Sequence, residues 1–450
     1  MSALGRRLMP YAMAALTSPR TRAARRWLAE RRRRLRGEPH RLLYFHQVDD
    51  PYSQLAAQVL PELVRRYDVL LATHLVEAPS DAAAPERALL AAFARKDAAD
   101  VAPGYGLTFP SFAPAPPAAC VELAARLLVA AASSGGFATC AARIGAALWA
   151  CDEAGLRGLA TELGAASGED ARAAQAAGSA LREQLGHYLG GMFYYAGEWY
   201  WGVDRLQHLE RRLQSLGALR PGASAAPIAP RPRPASEPAP AAGGRAPASR
   251  ERITLEFYLS LRSPYSYIAM ERVLALARRY PVDLVLRPVL PMVMRGLPVP
   301  RAKQLYITLD TQREAEDLGV RFGRVCDPVG RPVERCFSLY PWACAQARGA
   351  ELLHAFTRAA FAEGIDTGSD RGMRHVVERA GLSWNEARTH LDRDGWREEL
   401  ERNRNQLLAL GLWGVPSFRI AGRPGTPDFC TWGQDRLWRV EAELRARLNG

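Results

Sequence analysis

The sequence predicts an α/β protein built from two similar domains in tandem, each with a mixed sheet and a set of inserted helices. Three observations carry this prediction: an internal repeat, a proline-rich segment near mid-chain, and one order of apolar patterns on both sides of it. The length of 450 residues suffices for two or three domains with their own cores. An apolar fraction of 48% and a charged fraction of 24% are typical of globular proteins and exclude a disordered or fibrous chain.

The internal repeat consists of three blocks that occur in the same order in both halves of the chain. The blocks are residues 44–67 with 257–280 (eight identities in 24), 185–197 with 410–422 (five in 13), and 201–213 with 432–444 (seven in 13). The first pair shares P-Y-S and R-R-Y, and the last pair shares W-G-x-D-R-L. Ordered blocks with shared motifs indicate a tandem duplication.

Each half is predicted to run strand, helix, strand, inserted helices, hairpin and final helix. The first strands, 42–45 and 253–258, lead through a loop into amphipathic helices with Pro51 or Pro264 in their first turn. The later elements are second strands at 69–74 and 284–287, helical segments at 118–185 and 301–404, a hairpin-like apolar stretch, and a last helix at the D-R-L motif. This order predicts a mixed sheet in each half.

Composition divides the chain into four segments. They are a basic N-terminal arm (1–37), a first domain (38–216), a linker (217–250) and a second domain (251–450). The linker holds eight prolines and few large apolar side chains, which favours an extended spacer.

The N-terminal arm holds eleven arginines and one acid, Glu30, so it carries +10 of the net charge of +13. The run from Arg31 to Arg36 is typical of a solvated, frayed arm. The alternative is contact with anionic lipid or nucleic acid, together with the apolar residues Leu8, Met9, Tyr11, Met13 and Leu16.

Several classes of protein are excluded or disfavoured. The most apolar run, 118–132, contains Glu122 and Arg126, so no transmembrane helix is predicted. Seven cysteines without a C-x-x-C pair predict free thiols in a reducing, cytoplasmic compartment rather than a disulfide framework. The histidines lack metal-ligand spacing, and no metal site is predicted.

Candidate site residues lie in three motifs of the second half. Ser263 stands where the first strand meets a helix N-terminus, a position that favours a bound anion but that ordinary helix capping also explains. Pro416 precedes a strand, either as a plain turn or as an edge at which Val415 pairs with a peptide-like ligand. Asp435 lies in the motif that opens the last helix, either as a cap or at a second anion-receptive N-terminus.

Together these motifs resemble a known family. S-P-Y-S-Y (263–267), G-V-P-S-F (414–418) and W-G-Q-D-R-L (432–437) are similar to motifs of the 2-hydroxychromene-2-carboxylate isomerases and kappa-class glutathione transferases. Those proteins belong to the DsbA-like branch of the thioredoxin fold, and the resemblance covers about residues 252–447. It implies two tandem DsbA-like domains, each with a helical insertion.

The resemblance also implies a glutathione site. Ser263 would replace the redox cysteine and hold the glutathione thiolate, and the Val415–Pro416 bond would be cis, with its backbone pairing with the cysteinyl unit. The γ-glutamyl end would be received by Gln434, Asp435 and Arg436. Lys303, in a P-x-x-K-x-x-Y element (300–306), would contact ligand anions.

The implied function is that of a glutathione-dependent isomerase or transferase acting on a small, aromatic-derived electrophile. In the first half Asp50 stands at the Ser263 position and Gly191 at the Pro416 position. This half is therefore expected to be a degenerate partner, held as an intramolecular pseudo-dimer or joined by a loose linker. The alternative is a non-catalytic thioredoxin-like scaffold protein. Disulfide oxidoreductase chemistry is disfavoured, because neither half supplies a cysteine pair.

Overall fold

The computed structural model describes residues 3–111, 113–232, 252–422 and 425–449. Most of the predicted linker, 233–250, lies outside the described residues. The chain divides into two compact units, one of residues up to Arg22 with the second half, the other running from Ala23 to Pro232. Within the described ranges, no helix is both long and apolar enough to cross a bilayer.

The N-terminal segment is helical, and its two helices precede the first sheet. They are α1 (Ala3–Thr17) and α2 (Pro19–Leu35). The predicted frayed arm is therefore wrong for residues 31–35, which form the last turns of α2. Arg33 and Arg34 both pair with Glu30 there, at i,i+3 and i,i+4 spacing that supports a helix.

The first half contains four strands and seven helices within its described residues. The strands are β1 (Arg41–Gln47), β2 (Leu70–Val76), β3 (Met192–Tyr195) and β4 (Glu198–Trp201). The helices are α3 (Pro51–Arg66), α4 (Arg87–Val101), α5 (Ala118–Ser133), α6 (Phe137–Trp149), α7 (Glu153–Leu163), α8 (Gly168–Gln184) and α9 (Leu206–Ser215). Helix α4 was not predicted.

The second half repeats this order of elements with one more inserted helix. Its strands are β5 (Ile253–Leu259), β6 (Val282–Pro288), β7 (Ser417–Ile420) and β8 (Phe429–Trp432). Its helices are α10 (Pro264–Arg279), α11 (Arg301–Asp317), α12 (Arg331–Ala345), α13 (Gly349–Arg358), α14 (Asp370–Arg379), α15 (Trp384–Ala387), α16 (Arg397–Ala409) and α17 (Leu437–Asn449).

Both sheets have the same topology. Their strand orders are β2-β1-β3-β4 and β6-β5-β7-β8. In each, the first two strands pair in parallel and the remaining pairs are antiparallel, so both sheets are mixed as predicted. The βαβ crossover puts a helix on the sheet face and leaves the end of the first strand at that helix's N-terminus.

The core of the second half lies between the β5 face and the inserted helices. Alternate residues of β5, Leu255, Phe257 and Leu259, are fully buried and belong to one cluster with α10 and α12. Phe257 stacks on Phe418 of β7, with ring centres 5.2 Å apart. This packing fixes β5 and β7 side by side. The loop of Ser263 follows β5, and the loop of Val415 and Pro416 precedes β7.

Candidate active site of the second half

Ser263 is the N-cap residue of α10. Its extended backbone (φ −93°, ψ 111°) turns the chain from β5 into the helix, and Pro264 occupies the first turn. The hydroxyl oxygen accepts a hydrogen bond from the Ser266 backbone N–H at 3.1 Å. A hydroxyl that accepts in this way still has its own proton to donate. The capping and ligand-binding interpretations of Ser263 are therefore compatible.

The loop before β7 lies against Ser263. The Val415–Pro416 peptide bond is cis, as the resemblance implied. The Ser263 hydroxyl lies 3.5 Å from the Val415 carbonyl oxygen, at the outer limit of a hydrogen bond. The Gly433 N–H donates to the Pro416 carbonyl at 2.8 Å, so the loop is also tied to the turn that precedes α17. Residues of all three predicted motifs are thus in contact at the Val415–Pro416 bond.

Lys303 contacts Trp413, an aromatic residue next to this loop that sequence analysis missed. Its ammonium nitrogen lies 5.4 Å from the centre of the Trp413 ring, a cation–π distance. Trp413 immediately precedes Gly414, and its indole meets that of Trp432 edge-on, with ring centres 5.5 Å apart. Burial lowers the pKa of Lys303 to about 8. A partly desolvated amine beside the Trp413 indole therefore borders the loop.

The three residues predicted to receive the γ-glutamyl end differ in accessibility. Gln434 and Arg436 are buried, and Asp435 is half-buried. The Gln434 amide donates to Glu314 of α11 at 2.8 Å and to Asp435 at 2.5 Å, and its oxygen accepts from Arg272 of α10 at 3.0 Å. Gln434 thus fixes the turn against two helices, and Asp435 is the most accessible of the three.

Comparison with known proteins identifies the domain. Residues 254–445 match the model of the DsbA-like thioredoxin domain. The second half of the chain therefore contains a DsbA-like thioredoxin domain. It is similar to 2-hydroxychromene-2-carboxylate isomerases from Sphingobium xenophagum (27% identity, 42% of this chain and 97% of the relative) and Pseudomonas putida (22%, 42% and 93%).

Two solved structures are also similar to this DsbA-like domain. One is a 2-hydroxychromene-2-carboxylate isomerase, 22% identical, covering 43% of this chain and 95% of that one, with a TM-score of 0.36. The other is the cytosolic disulfide reductase DsbM from Pseudomonas aeruginosa with GSH, 19% identical, covering 43% and 99%, with a TM-score of 0.32.

The residue before Ser263 is held by an ion pair of the DsbA-like domain. The Arg262 guanidinium donates to both carboxylate oxygens of Asp327, at 2.8 and 2.7 Å. A bidentate pair fixes the orientation of both side chains. Both are only partly exposed, at 20% and 25% of the side chain. The pair therefore restrains the loop that presents Ser263.

Helix α1 contacts the same region of the DsbA-like domain. The backbone N–H of Asp327 donates to the Met9 sulfur at 3.3 Å, and Thr17 donates to the Gly323 carbonyl at 3.3 Å. Met13 packs against a cluster that contains Tyr267 and Phe361. The i,i+4 spacing of Met9, Met13 and Thr17 places them on one helix face. Sequence alone does not show that this face is covered by a loop more than 300 residues away.

The first half has a different residue at the position of Ser263. Asp50 caps α3 and accepts from the backbone N–H groups of Tyr52 (3.3 Å) and Ser53 (2.9 Å) and from the Ser53 hydroxyl (2.8 Å). Burial raises the pKa of Asp50 to about 6. A Cβ at Gly191 would lie 3.3 Å from this carboxylate. The protein's own anion thus occupies this helix N-terminus.

Four hydrogen bonds recur at equivalent positions of the two halves. They are Tyr52–Asp97 and Tyr265–Asp310 (2.9 and 2.7 Å), Tyr67–Glu210 and Tyr280–Glu441 (3.2 and 2.7 Å), Gln47–Ser53 and Ser260–Ser266 (3.1 and 3.3 Å), and Gly202–Gly191 and Gly433–Pro416 (2.8 Å each). The sequence repeat therefore corresponds to repeated polar contacts.

The described residues contain neither a disulfide nor a metal site. All seven cysteines lie within the described residues and are free thiols. Across those same residues, no group of three or more His, Cys, Asp or Glu side chains is arranged to hold a metal ion.

Proposed function

We propose that the DsbA-like domain is a glutathione-dependent isomerase or transferase acting on a small, aromatic-derived electrophile. The observation that carries this proposal is the placement of Ser263, a half-exposed hydroxyl at a helix N-terminus, 3.5 Å from the Val415 carbonyl. Relatives named 2-hydroxychromene-2-carboxylate isomerase support the isomerase class. Serines at 263 and 266 replace the cysteines that dithiol chemistry would need.

The residues around Ser263 fit a glutathione thiolate. Ser263 would donate its hydroxyl proton to the sulfur while its oxygen keeps the Ser266 N–H. The helix N-terminus adds a positive potential, and such positions lower thiol pKa values from about 8.5 toward neutrality. The Val415 backbone would pair with the peptide part of glutathione, and Gln434, Asp435 and Arg436 would receive its γ-glutamyl end. When bound, glutathione supplies a thiolate that adds to an unsaturated electrophile and leaves after bond rotation, or stays attached in a transfer.

The chain's own residues would orient the electrophile. Lys303 is cationic at neutral pH, since its pKa is about 8, and stands beside Trp413. It would hold an anionic group of the substrate, and the indoles of Trp413 and Trp432 would contact its apolar part. The Arg262–Asp327 pair would keep Ser263 in place.

For the first half we propose the scaffold role. Asp50 carries a negative charge where a thiolate would bind, and Gly191 replaces the proline of the second half. The repeated topology and polar contacts support a tandem duplication in which this DsbA-like copy is degenerate.

We also propose that the two copies form an intramolecular pseudo-dimer. A cytoplasmic location is proposed because all seven cysteines are free. Cleavage at a protease site engineered within residues 233–250 tests the pseudo-dimer in a Met9→Gln/Met13→Gln variant, in which the docking of α1 is weakened, because the halves of a pseudo-dimer still co-elute.

The enzymatic proposal is tested by Ser263→Ala beside a matched control, Ser369→Ala. Ser369 caps α14 and accepts from the Gly372 N–H at 3.1 Å, so both variants lose one N-cap, about 1 kcal/mol. Only Ser263→Ala should abolish turnover of a model electrophile and the thermal shift produced by glutathione. Equal activity in both variants, or no shift for the wild type, would support a scaffold protein.

A further inference from the structure

Helix α2 is attached to the body of the protein by its charged side. The Arg26 guanidinium donates to both carboxylate oxygens of Glu198, at 2.7 Å each. Arg33 donates to the Glu38 carbonyl at 2.7 Å and pairs with Glu30. None of the α2 side chains, which lie within the described residues 19–35, is buried. Helices on soluble proteins ordinarily bury their apolar side, so the polarity of α2 is inverted.

The apolar side of α2 faces solvent. Trp27, Leu28 and Leu35 are 60%, 42% and 78% exposed. At 100° per residue their Cα positions fall within a sector of about 100°, so the three side chains lie on one side of the helix. Five of the seven large hydrophobic residues that are exposed among the described residues lie in α1 and α2. Exposed apolar side chains concentrated in this way mark a contact surface.

Exposed arginines accompany these apolar residues. Arg25, Arg31 and Arg32 are exposed, and the Arg31 guanidinium lies 5.3 Å from the centre of the Trp27 ring. At 100° per residue Arg31 falls between Trp27 and Leu35, and Arg25 and Arg32 lie beside Leu28, so this face combines cationic and apolar groups. An anionic lipid bilayer matches both, since tryptophan and leucine enter the headgroup boundary while arginines contact phosphates.

We infer that the outer face of α2, formed by Trp27, Leu28 and Leu35 with Arg25, Arg31 and Arg32, is a binding site for anionic phospholipid membranes. Eight of its 17 residues are arginines, so the helix would lie in the interface rather than cross the bilayer. A nucleic acid would match the arginines but leave the leucines uncovered, and a second protein copy would offer no excess of anions. The inference is independent of the proposed catalytic function.

The test is flotation of the full chain with phosphatidylcholine vesicles, with and without about 30 mol% phosphatidylglycerol. The wild type should float only with the anionic vesicles. Leu28→Gln/Leu35→Gln should weaken binding about tenfold, and Arg25→Gln/Arg31→Gln/Arg32→Gln at least as much, because juxtaposed arginines and apolar contacts both contribute. The matched control is Leu70→Gln, at another exposed leucine (54%), which should bind as the wild type does.

Three results would overturn the inference. The wild type does not float with anionic vesicles, or the leucine double variant floats as well as the wild type. Alternatively, the arginine variant loses affinity for duplex DNA or RNA while vesicles bind no form of the protein, which would identify a nucleic-acid surface. Unchanged thermal unfolding of both multiple variants verifies that the fold is intact, as expected for side chains that are not buried.

Discussion

Ser263 and Asp50 occupy the same structural position in the two halves. Each is the N-cap of the helix that follows the first strand, with an extended backbone, and each side chain accepts from the N–H three residues later. A neutral hydroxyl in one half and a carboxylate in the other make these equivalent helix starts electrostatically opposite toward an anionic ligand. We expect this single difference to decide which half binds a thiolate.

Ser263→Asp should therefore remove glutathione binding without removing the cap. Asp and Ser are similarly good N-caps, so the free energy of unfolding should change by less than about 1 kcal/mol. The carboxylate would repel a thiolate, and affinity at neutral pH should fall at least about tenfold. Calorimetric titration with glutathione measures the affinity. Undiminished binding would show that position 263 does not face the sulfur.

The raised pKa of Asp50 predicts a pH-dependent stability. Its pKa is about 6 in the folded chain against an ordinary value of 3.8, so the folded state binds the proton more tightly. Its contribution to stability is fully present below pH 4 and is lost as pH rises to about 6. Relative to Asp50→Asn, which keeps an N-cap, the free energy of unfolding of the wild type should fall by about 1–2 kcal/mol over this range. Parallel pH profiles of denaturant unfolding for the two proteins would contradict the assignment.

Lys303 should make turnover of an anionic electrophile fall at alkaline pH. With a pKa of about 8, the side chain is cationic at neutral pH and loses its proton, and its attraction for an anion, above pH 8. Lys303→Arg keeps the charge through this range and should remove that limb of the kcat/KM profile, whereas Lys303→Met should raise KM below pH 8 and approach the wild-type value above it. An uncharged electrophile serves as the control. An alkaline limb that persists in Lys303→Arg would assign the titration to another group.

Gly414 should not tolerate a side chain. A Cβ there would lie 2.2 Å from two carbon atoms of the Trp432 indole, which is itself held against Trp413. We expect Gly414→Ala to cost about 1–3 kcal/mol and to lower activity, because the loop of Val415 must move. Gly158→Ala is the control, since a Cβ on α7 meets nothing within 4 Å and alanine favours helix. Chemical denaturation and activity assays compare the two, and equal behaviour would refute the close packing.

The Arg262–Asp327 pair should contribute to activity, although both side chains are partly exposed. Asp327→Asn removes one charge of a bidentate pair beside Ser263, and we expect a severalfold loss of kcat/KM. Asp283→Asn breaks the exposed pair with Arg252, whose side chains are each 55% exposed, and should change stability by less than about 0.5 kcal/mol with full activity. If both variants remain fully active, the pair does not position the Ser263 loop.

Sequence reasoning predicted the elements whose signals are local. Apolar runs located both sheets, and P-Y-S and D-R-L located the helix starts at Pro264 and Leu437. The cis bond at Val415–Pro416 followed from the resemblance alone. Whether Ser263, Lys303 and the γ-glutamyl-end residues act on glutathione stays a prediction.

Other features were missed because their partners are distant in the chain. Trp413 stands beside a recognised motif, but its partner Lys303 is 110 residues earlier, and a cation–π contact has no sequence spacing. The docking of α1 depends on Met9 meeting Asp327, more than 300 residues away. The basic composition of residues 1–37 predicted a frayed arm, whereas pairing within α2 and with Glu198 stabilises a helix.

The most direct test of the central claim is an ultraviolet titration of the thiolate of glutathione bound to the wild type and to Ser263→Ala. A hydroxyl donor at a helix N-terminus should lower the thiol pKa by about one unit or more, and Ser263→Ala should return most of that shift. A bound thiol that titrates as it does in free solution, or identically in both proteins, would contradict the account.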